Sequence, residues 1–416
     1  MKKINLFLFG TSMCMLAALT SCNKEAAKTT ATTTQGNQST AAMIAENGAN
    51  PDEVIMTTSS TGATELTETN SVEYRRSSKG HYLFTEANDA GTNQIYTYQV
   101  NNAGTLSFQG SVASGGAGTG AGLGSQGALA LSEDHEWLFV VNAASNSVSS
   151  FKVHNDGSLS LAHTENSDGT MPVSLSIHEN LLYVLNFGSD NIHGFRVGSD
   201  GSLTHIVGST KPLSGKAVVA PQIAFTPNGN WLIVTEKATN KISSFKVKSD
   251  GSVASDLATA STGQTPFGFD FGRDDAMIVS NAAGGAAGAG SATSYHISAN
   301  GIPHAVNRAI PNDQGAPCWV ATTKYGRFAF VSNTGSNSIS SYYIAPGGTL
   351  FLVDQAAAST DNSPADIVVA KNNYDVYVLT SKSGTIGEYH RKFFGGLERT
   401  GSVSGLPAPT TGLAIY

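Results

Sequence analysis

Cysteine is scarce in this sequence, which has only three among 416 residues, at Cys14, Cys22 and Cys318. The first two lie in or beside an N-terminal processing signal, so Cys318 is the one free thiol expected in the processed chain. The sequence therefore excludes a disulfide framework within the chain and a cysteine-based zinc site.

Charged residues are also few, at 13% of the chain, and the formal net charge is −7. Without an excess of Lys and Arg there is no electrostatic footprint for nucleic acid, and we expect no nucleic-acid partner. The chain instead holds 45 glycines and 40% hydrophobic residues, a composition typical of a globular, β-rich protein.

Long hydrophobic runs are absent as well. The longest apolar stretch, residues 4–19, follows Lys2 and Lys3 and is interrupted by glycine, threonine and serine. It is too short and too broken for a membrane span and predicts an export signal. Its end, Leu-Thr-Ser-Cys at 19–22, resembles a bacterial lipobox. We therefore predict a lipoprotein signal peptide over residues 1–21, with an ordinary signal peptide and a stray cysteine as the alternative.

Cleavage before Cys22 would leave a lipidated cysteine at the new N-terminus. Durable attachment needs more than one acyl chain, which a lipoprotein cysteine carries. Residues 22–61 are rich in Ala, Thr, Asn, Gln and Ser, as flexible tethers are. We therefore expect a protein anchored in the cell envelope, with the outer membrane as the expected site, facing the periplasm or the surface.

Beyond the tether the chain repeats a strand–turn–strand unit. Aromatic and β-branched residues alternate with small polar ones in each copy, and the joins carry Gly, Asn, Asp and Ser, as hairpins do. Seven copies start 44 to 55 residues apart, at Tyr82, Trp137, Leu181, Trp231, Ala276, Phe328 and Asp375.

A short strand precedes most copies and another follows, so each unit has four strands. Four-stranded units at this period predict the blades of a β-propeller. The first copy lacks a good preceding strand, but the chain ends in "APTTGLAIY", residues 408–416, which has that pattern. We predict an all-β, seven-bladed β-propeller over residues 62–416 that is closed by the C-terminal strand joining the first blade, and we expect a monomer.

Two glycine-rich segments, residues 115–124 and 282–290, are predicted on the face that carries the turns between the second and third strands of each blade. Neither holds GxGxxG between a strand and a helix, so a dinucleotide site is not supported, and we expect no cofactor. The glycines would either form an anion-binding nest or simply fit crowded loops. The ten histidines show no HExxH and no H-x-H on one element, so no metal site is expected.

The segments "GGAGTGAGLGSQGALALS", "TPFGFDF", "APCWVATTKYGRFAFVSNTGS" and "DGSL" resemble the lactonase family of seven-bladed propellers, related to 6-phosphogluconolactonases and carboxymuconate-lactonising enzymes. The resemblance implies hydrolysis or formation of a lactone at a central cleft by a histidine, an Arg–His pair and a glutamate. This sequence places Gly127 at the first position and Pro221 and Gln222 at the next two. Glu236 stands at the glutamate position.

The residues that end the second strand of each blade are predicted to surround the cleft. Glu236 is the predicted catalytic residue, as a general base or proton shuttle; the alternative is an exposed hairpin carboxylate paired with Lys237 or Lys241. The predicted substrate-binding residues are Gln126, Gln222, Lys237, Asn142, Asn186, Asn281 and Asn333.

The asparagines have a second interpretation, in which their side chains bond nearby backbone in Asx turns. Asp270 and Asp366 lie on predicted inner strands and would line the channel or cap its backbone. Trp319 would either stack on a sugar ring or pack in the core.

Two functions remain open from the sequence. One is an anchored enzyme acting on a small lactone or sugar-acid ester through Glu236. The other is a propeller that binds a glycan, a peptide or an envelope protein without chemistry, because propellers host both kinds of function.

Overall fold

The structure is a computed structural model that describes residues 80–416. The predicted signal peptide, the lipidated Cys22, the tether and the first residues of the predicted propeller domain lie outside the described residues. Among the described residues, no helix has the length and apolar character needed to cross a membrane.

The described chain folds into seven antiparallel sheets, which are the predicted blades. Blades 1 and 2 contain β1 (His81–Glu86), β2 (Gln94–Val100), β3 (Leu106–Ala113), β4 (Leu129–Leu131), β5 (Trp137–Asn142), β6 (Ser147–Val153) and β7 (Leu159–Asn166). Blades 3 and 4 contain β8 (Pro172–His178), β9 (Leu181–Asn186), β10 (Asn191–Val197), β11 (Leu203–His205), β12 (Lys211–Pro212), β13 (Gln222–Phe225), β14 (Trp231–Glu236), β15 (Lys241–Lys246) and β16 (Leu257–Ala260).

The remaining strands complete the ring. Blade 5 contains β17 (Pro266–Phe271), β18 (Met277–Asn281), β19 (Ser291–Ile297), β20 (Pro303–Ala305) and β21 (Ile310–Pro311). Blades 6 and 7 contain β22 (Pro317–Thr322), β23 (Phe328–Asn333), β24 (Ser338–Ile344), β25 (Leu350–Ser359), β26 (Pro364–Val369), β27 (Asp375–Thr380), β28 (Thr385–Arg391) and β29 (Leu397–Ser404). The last strand, β30 (Thr411–Ile415), belongs to blade 1.

Both main predictions about the fold are confirmed. The seven sheets form a ring because each innermost strand contacts the next, from β4 through β8, β13, β17, β22 and β26 to β30 and back to β4. β30 pairs antiparallel with β1, with Phe84 opposite Ala414. The Thr85 hydroxyl also donates to the Gly412 carbonyl at 2.6 Å, so the C-terminal strand closes the first blade from the inside.

Within each blade we name the strands a to d from the axis outward. Strands b and c are buried on both faces between neighbouring blades; in β5, for example, Leu138, Phe139, Val140 and Val141 are all buried. This burial explains their continuous apolar sequence, which resembles that of sheets covered on both faces. Strand d is largely exposed, and its alternating small polar residues reflect that position.

Candidate functional site

The residues that end the b strands form one structural class. All seven are buried, and the side chains of most of them bond to strand c or to the linker that enters their blade: Glu86, Asn142, Asn186, Glu236, Asn281, Asn333 and Thr380. None of them lines the cavity on the propeller axis. These side chains lie under the d-to-a linkers instead, and a role for them toward a substrate stays a prediction.

The asparagines of this class hold the linkers in place. The Asn142 carbonyl oxygen accepts from the Ser114 hydroxyl in the preceding linker, and its amide donates to Ser149 at 2.9 Å. Asn333 is bonded in the same way to Asn312 and Ser340.

The side chains of Asn186 and Asn281 also make no hydrogen bond to the backbone of their own turn, which an Asx turn would require. Asn186 donates to the Ser167 carbonyl at 2.9 Å, and Asn281 donates to the Thr293 hydroxyl at the same distance. These contacts give all four asparagines a structural role, while their role toward a substrate stays a prediction.

Glu236 is completely buried and is surrounded by hydrogen-bond donors. Its Oε1 accepts from the Ser214 backbone N–H at 3.1 Å and from the Ser243 hydroxyl at 2.7 Å. Its Oε2 accepts from the hydroxyls of Ser214 at 2.5 Å and Thr239 at 2.6 Å. The carboxylate is therefore not an exposed partner of Lys237 or Lys241. It is also not among the residues that line the axial cavity, so its predicted catalytic role stays a prediction.

Glu86 occupies the same position in blade 1 but has a poorer environment. Its Oε2 accepts from the Asn93 amide at 3.2 Å, and its Oε1 has no hydrogen-bond partner among the described residues. Burial raises the pKa of Glu86 well above its usual range, and the single bond from Asn93 offsets only part of that effect. The carboxyl group of Glu86 therefore holds its proton to a higher pH than an exposed glutamate does.

The mouth of the central channel is crossed by the chain itself, at residues 124–127, which we call the cap segment. It lies at the end of the channel where the a strands begin. The Ser125 hydroxyl donates to the Val173 carbonyl at 2.7 Å, and the Gln126 N–H donates to the Pro221 carbonyl at 3.0 Å. The segment thus contacts blades 3 and 4 although it leads into blade 2.

The Gln126 side chain completes the cap on the far side of the channel. Its amide donates to the Val320 carbonyl at 2.6 Å and its oxygen accepts from the Val320 N–H at 3.1 Å. The Trp319 indole donates to the Ser125 carbonyl at 2.8 Å and packs against Phe267, which favours the core-packing interpretation of Trp319.

Lys237 joins this cap as well. Its Nζ lies 3.3 Å from the Gly124 carbonyl and 4.3 Å from the centre of the Phe267 ring, and burial lowers its pKa. Three of the predicted substrate-binding residues, Gln126, Gln222 and Lys237, therefore do lie at or beside the channel.

Most of the glycines before the cap serve close packing, although Gly122 has open space around the position of a Cβ. A Cβ at Gly118 would lie 2.2 Å from the Asn88 backbone. The Gly118 N–H donates to the Asp89 carbonyl at 2.9 Å. The crowded-loop interpretation of residues 115–124 is therefore favoured over an anion nest, because this amide is already used within the fold.

Below the cap lies a cavity of about 250 Å³ on the propeller axis. Its walls are mainly aliphatic side chains of the a strands, and its polar side chains come from a short set: Gln126, Ser176, Gln222 and Asp366. Gln222 lies in blade 4 and clamps Phe269 of blade 5, accepting from its N–H at 2.7 Å and donating to its carbonyl at 2.9 Å.

Asp366 is the only acid among the residues that line this cavity. Its two oxygens accept from the backbone N–H groups of Ile367 and Leu413, both at 2.8 Å. Burial raises the pKa of Asp366 to about 7, and those two bonds lower it less than burial raises it. Asp270 makes the same kind of clip between blades 5 and 6, toward Phe271 and Thr322, but does not line the cavity.

The family model for the lactonase with a seven-bladed β-propeller matches residues 117–220 and 304–411, which together are just over half of the chain. The chain belongs to the lactonase family of seven-bladed β-propellers. No curated protein matches it.

Solved structures give the same fold. A candidate 6-phosphogluconolactonase from Bacteroides fragilis is 19% identical, with a TM-score of 0.66 over 84% of this chain and 100% of the other. A periplasmic gluconolactonase from Pseudomonas aeruginosa is 17% identical, with a TM-score of 0.63 over 81% and 98%. At these identities the likeness shows the fold alone.

The family resemblance implies a catalytic histidine and an Arg–His pair at positions 127, 221 and 222. In this chain the residues at those positions form the cap segment or hold the strands beside it. The Gly127 carbonyl accepts from the Leu175 N–H at 2.7 Å, and the Pro221 carbonyl accepts from Gln126. Gln222 clamps Phe269. Gly127 also has a φ of 79°, a conformation that favours glycine.

The Glu236→Gln variant should lower the free energy of unfolding by about 1–3 kcal/mol. The new amide would face hydrogen-bond donors, and the Ser214 N–H cannot reverse its role. Denaturant unfolding measures the loss. The matched control is Glu136→Gln, because Glu136 is half exposed and pairs with Lys152, so its change should stay within about 1 kcal/mol. Equal losses in the two variants would contradict the role assigned to Glu236.

The Glu86→Gln variant should stabilise the protein at pH 8 and change little at pH 4. Unfolded Glu86 ionises near its ordinary value of 4.5, while burial raises the pKa of the folded residue well above that value. Unfolding therefore releases a proton, and wild-type stability falls as pH rises above that value. Glutamine cannot ionise, so its advantage grows with pH. Thermal unfolding at both pH values tests this, and a difference that is independent of pH would overturn it.

Proposed function

We propose that this protein hydrolyses a small, uncharged lactone in the central cavity, with Asp366 as the general base. The observation that carries the proposal is the Asp366 carboxyl group on the wall of the axial cavity, where burial raises its pKa to about 7. A general base works best when its pKa lies near the working pH, and shifted carboxyl groups in cavities mark candidate sites.

The lining of the cavity restricts the substrate. No Lys, Arg or His is among the lining residues, so nothing there would neutralise a phosphate or a carboxylate. Without a cation to pair with an anionic group, the cavity favours an uncharged ring, and its volume suits a molecule smaller than most drug-like ligands. A phosphorylated sugar lactone would therefore be a poor substrate for this cavity.

The chemistry needs a base and a donor for the oxyanion. Asp366 would take a proton from water as the water oxygen attacks the lactone carbonyl carbon. The Ser176 hydroxyl accepts from the Phe225 N–H at 3.1 Å, which leaves its own O–H to donate to the oxyanion. The C–O bond of the ring then breaks, the leaving oxygen takes the proton from Asp366, and a hydroxy acid is released.

The second candidate function is binding without chemistry, of a glycan, a peptide or an envelope protein. It is favoured by one observation: the polar side chains of Gln126, Gln222 and Asp366 are already bonded to backbone groups. In that case these residues would serve only to hold the blades together.

A panel of lactones separates these functions. Wild type should hydrolyse uncharged aliphatic γ- or δ-lactones better than 6-phosphogluconolactone, and kcat/KM should rise with pH through about 7 as Asp366 ionises. Asp366→Asn should lower kcat/KM at least about 100-fold.

Asp270→Asn is the matched control for that variant. It breaks the same kind of inter-blade clip outside the cavity, so it should lose stability without losing activity. No turnover of any lactone would favour the binding function. Equal loss in the two Asp variants would refute Asp366 as the base, and loss in Glu236→Gln alone would restore Glu236 as the catalytic residue.

We also propose that the protein is exported and anchored through lipid on Cys22. The support is the sequence pattern: two lysines, an interrupted apolar run and a cysteine preceded by small residues. The Cys22→Ser variant should move the protein from the membrane fraction of the native host to the soluble fraction. An unchanged distribution between the two fractions would contradict the anchor.

A further inference from the structure

A cluster of histidine and aspartate side chains lies at the rim of blade 3, away from the axial cavity. Asp168 belongs to the linker between blades 2 and 3, His193 to strand c and His205 to strand d of blade 3. One ligand atom from each of the three lies within 4.8 Å of the others. None of the three lines the axial cavity.

Each imidazole has a partner on its far side. His193 Nδ1 lies 2.8 Å from the Thr210 hydroxyl oxygen, and His205 Nε2 lies 3.4 Å from a Glu165 carboxylate oxygen. Partners of this kind hold the ring orientation of metal-binding histidines, and the nitrogen that donates to such a partner leaves the other nitrogen with a free lone pair.

The remaining nitrogens face each other. His193 Nε2 and His205 Nδ1 are 2.8 Å apart, and Asp168 Oδ2 lies 3.6 Å from the same His205 nitrogen. When His193 donates to Thr210 and His205 donates to Glu165, the two facing nitrogens, Nε2 of His193 and Nδ1 of His205, carry no proton and each presents a lone pair. Two lone pairs and a carboxylate oxygen at these distances repel one another unless a proton or a metal cation lies between them.

We propose that Asp168, His193 and His205 bind one divalent transition-metal ion of the zinc type. Two imidazole nitrogens and one carboxylate oxygen suit zinc and its neighbours better than magnesium or calcium, which prefer oxygen ligands. With metal–nitrogen bonds of about 2.0–2.1 Å, the two nitrogens would separate to about 3.3 Å in a tetrahedral site. The two nitrogens therefore need to move apart by only about half an ångström.

The exposure of the ligands fits an ion that enters from solvent. The His193 side chain is only 2% exposed and forms the floor, whereas the Asp168 and His205 side chains are 47% and 38% exposed. Glu165 or water would complete the coordination. The ion would connect the linker between blades 2 and 3, through Asp168, with strands c and d of blade 3, through His193 and His205.

The competing arrangement is a hydrogen-bond chain without metal. In it, the Thr210 hydroxyl donates to His193, His193 donates to His205, and His205 donates to Glu165. This arrangement leaves the Asp168 oxygen 3.4 Å from His193 Nδ1, which would then carry a lone pair rather than a proton. The metal site removes that repulsion, and the experiment below separates the two arrangements.

The test uses untagged, full-length protein that has been freed of metal with a chelator. Titration calorimetry with ZnCl₂ should show one saturable site per chain, and Zn²⁺ should raise the melting temperature. Co²⁺ should give the visible absorption bands of a nitrogen–oxygen site without a thiolate charge-transfer band.

Variants assign the binding to this cluster. His205→Ala and Asp168→Asn should each weaken Zn²⁺ binding at least tenfold and abolish the thermal shift. Both side chains are partly exposed, and circular dichroism checks that the variants fold. The matched control is His304→Ala, which removes an exposed histidine from strand d of blade 5 and should bind like wild type.

Three outcomes would overturn the site. They are the absence of saturable binding, equal affinity in wild type and His205→Ala, and a thiolate band in the Co²⁺ spectrum. The first would leave the hydrogen-bond chain as the explanation of the cluster. Because the readouts are binding and stability, they are independent of any lactone turnover.

Discussion

Seven inner strands each turn an edge toward the propeller axis, and the backbone groups on those edges need partners. An unpaired edge is costly when buried and invites association when open. Here the inner strands satisfy one another through side chains: Ser174 bonds the cap and Ile223, Gln222 clamps Phe269, and Asp366 bonds Leu413. The residues that make the axial cavity polar are thus the ones that hold the ring together.

This double duty explains why the cavity differs from the cleft that the family resemblance implied. The cap segment reaches across the mouth to blades 3, 4 and 6, and it can do so because Gly127 allows the bend and Pro221 offers a free carbonyl. A Cβ at position 127 would lie 3.1 Å from the Ser174 hydroxyl oxygen and 3.3 Å from the Leu175 carbonyl oxygen, so a histidine there would crowd blade 3. The proposed reaction site therefore lies at Asp366 inside the axial cavity, and not at the channel mouth where the family resemblance implied it.

The fold could be predicted from the sequence because the strand–turn–strand pattern of a blade recurs seven times along the chain. The predicted hairpin over residues 137–153 coincides with β5 and β6, and the C-terminal pattern coincides with β30. The position of Glu236 could not be predicted, since it depends on the linker that carries Ser214 over the end of β14. The residue pattern shows where a strand ends but not what covers it. The histidine cluster escaped the sequence analysis for a similar reason, because its members come from three separate segments.

The pairing of β30 with β1 also couples distant parts of the described chain. Blade 1 takes three strands from the start of the described chain and its innermost strand from residues 411–415. The hydrogen bond from Thr85 to the Gly412 carbonyl joins residues 327 positions apart. Contacts of such separation cost loop-closure entropy before they stabilise the fold, so closing the ring should be among the slow steps of folding.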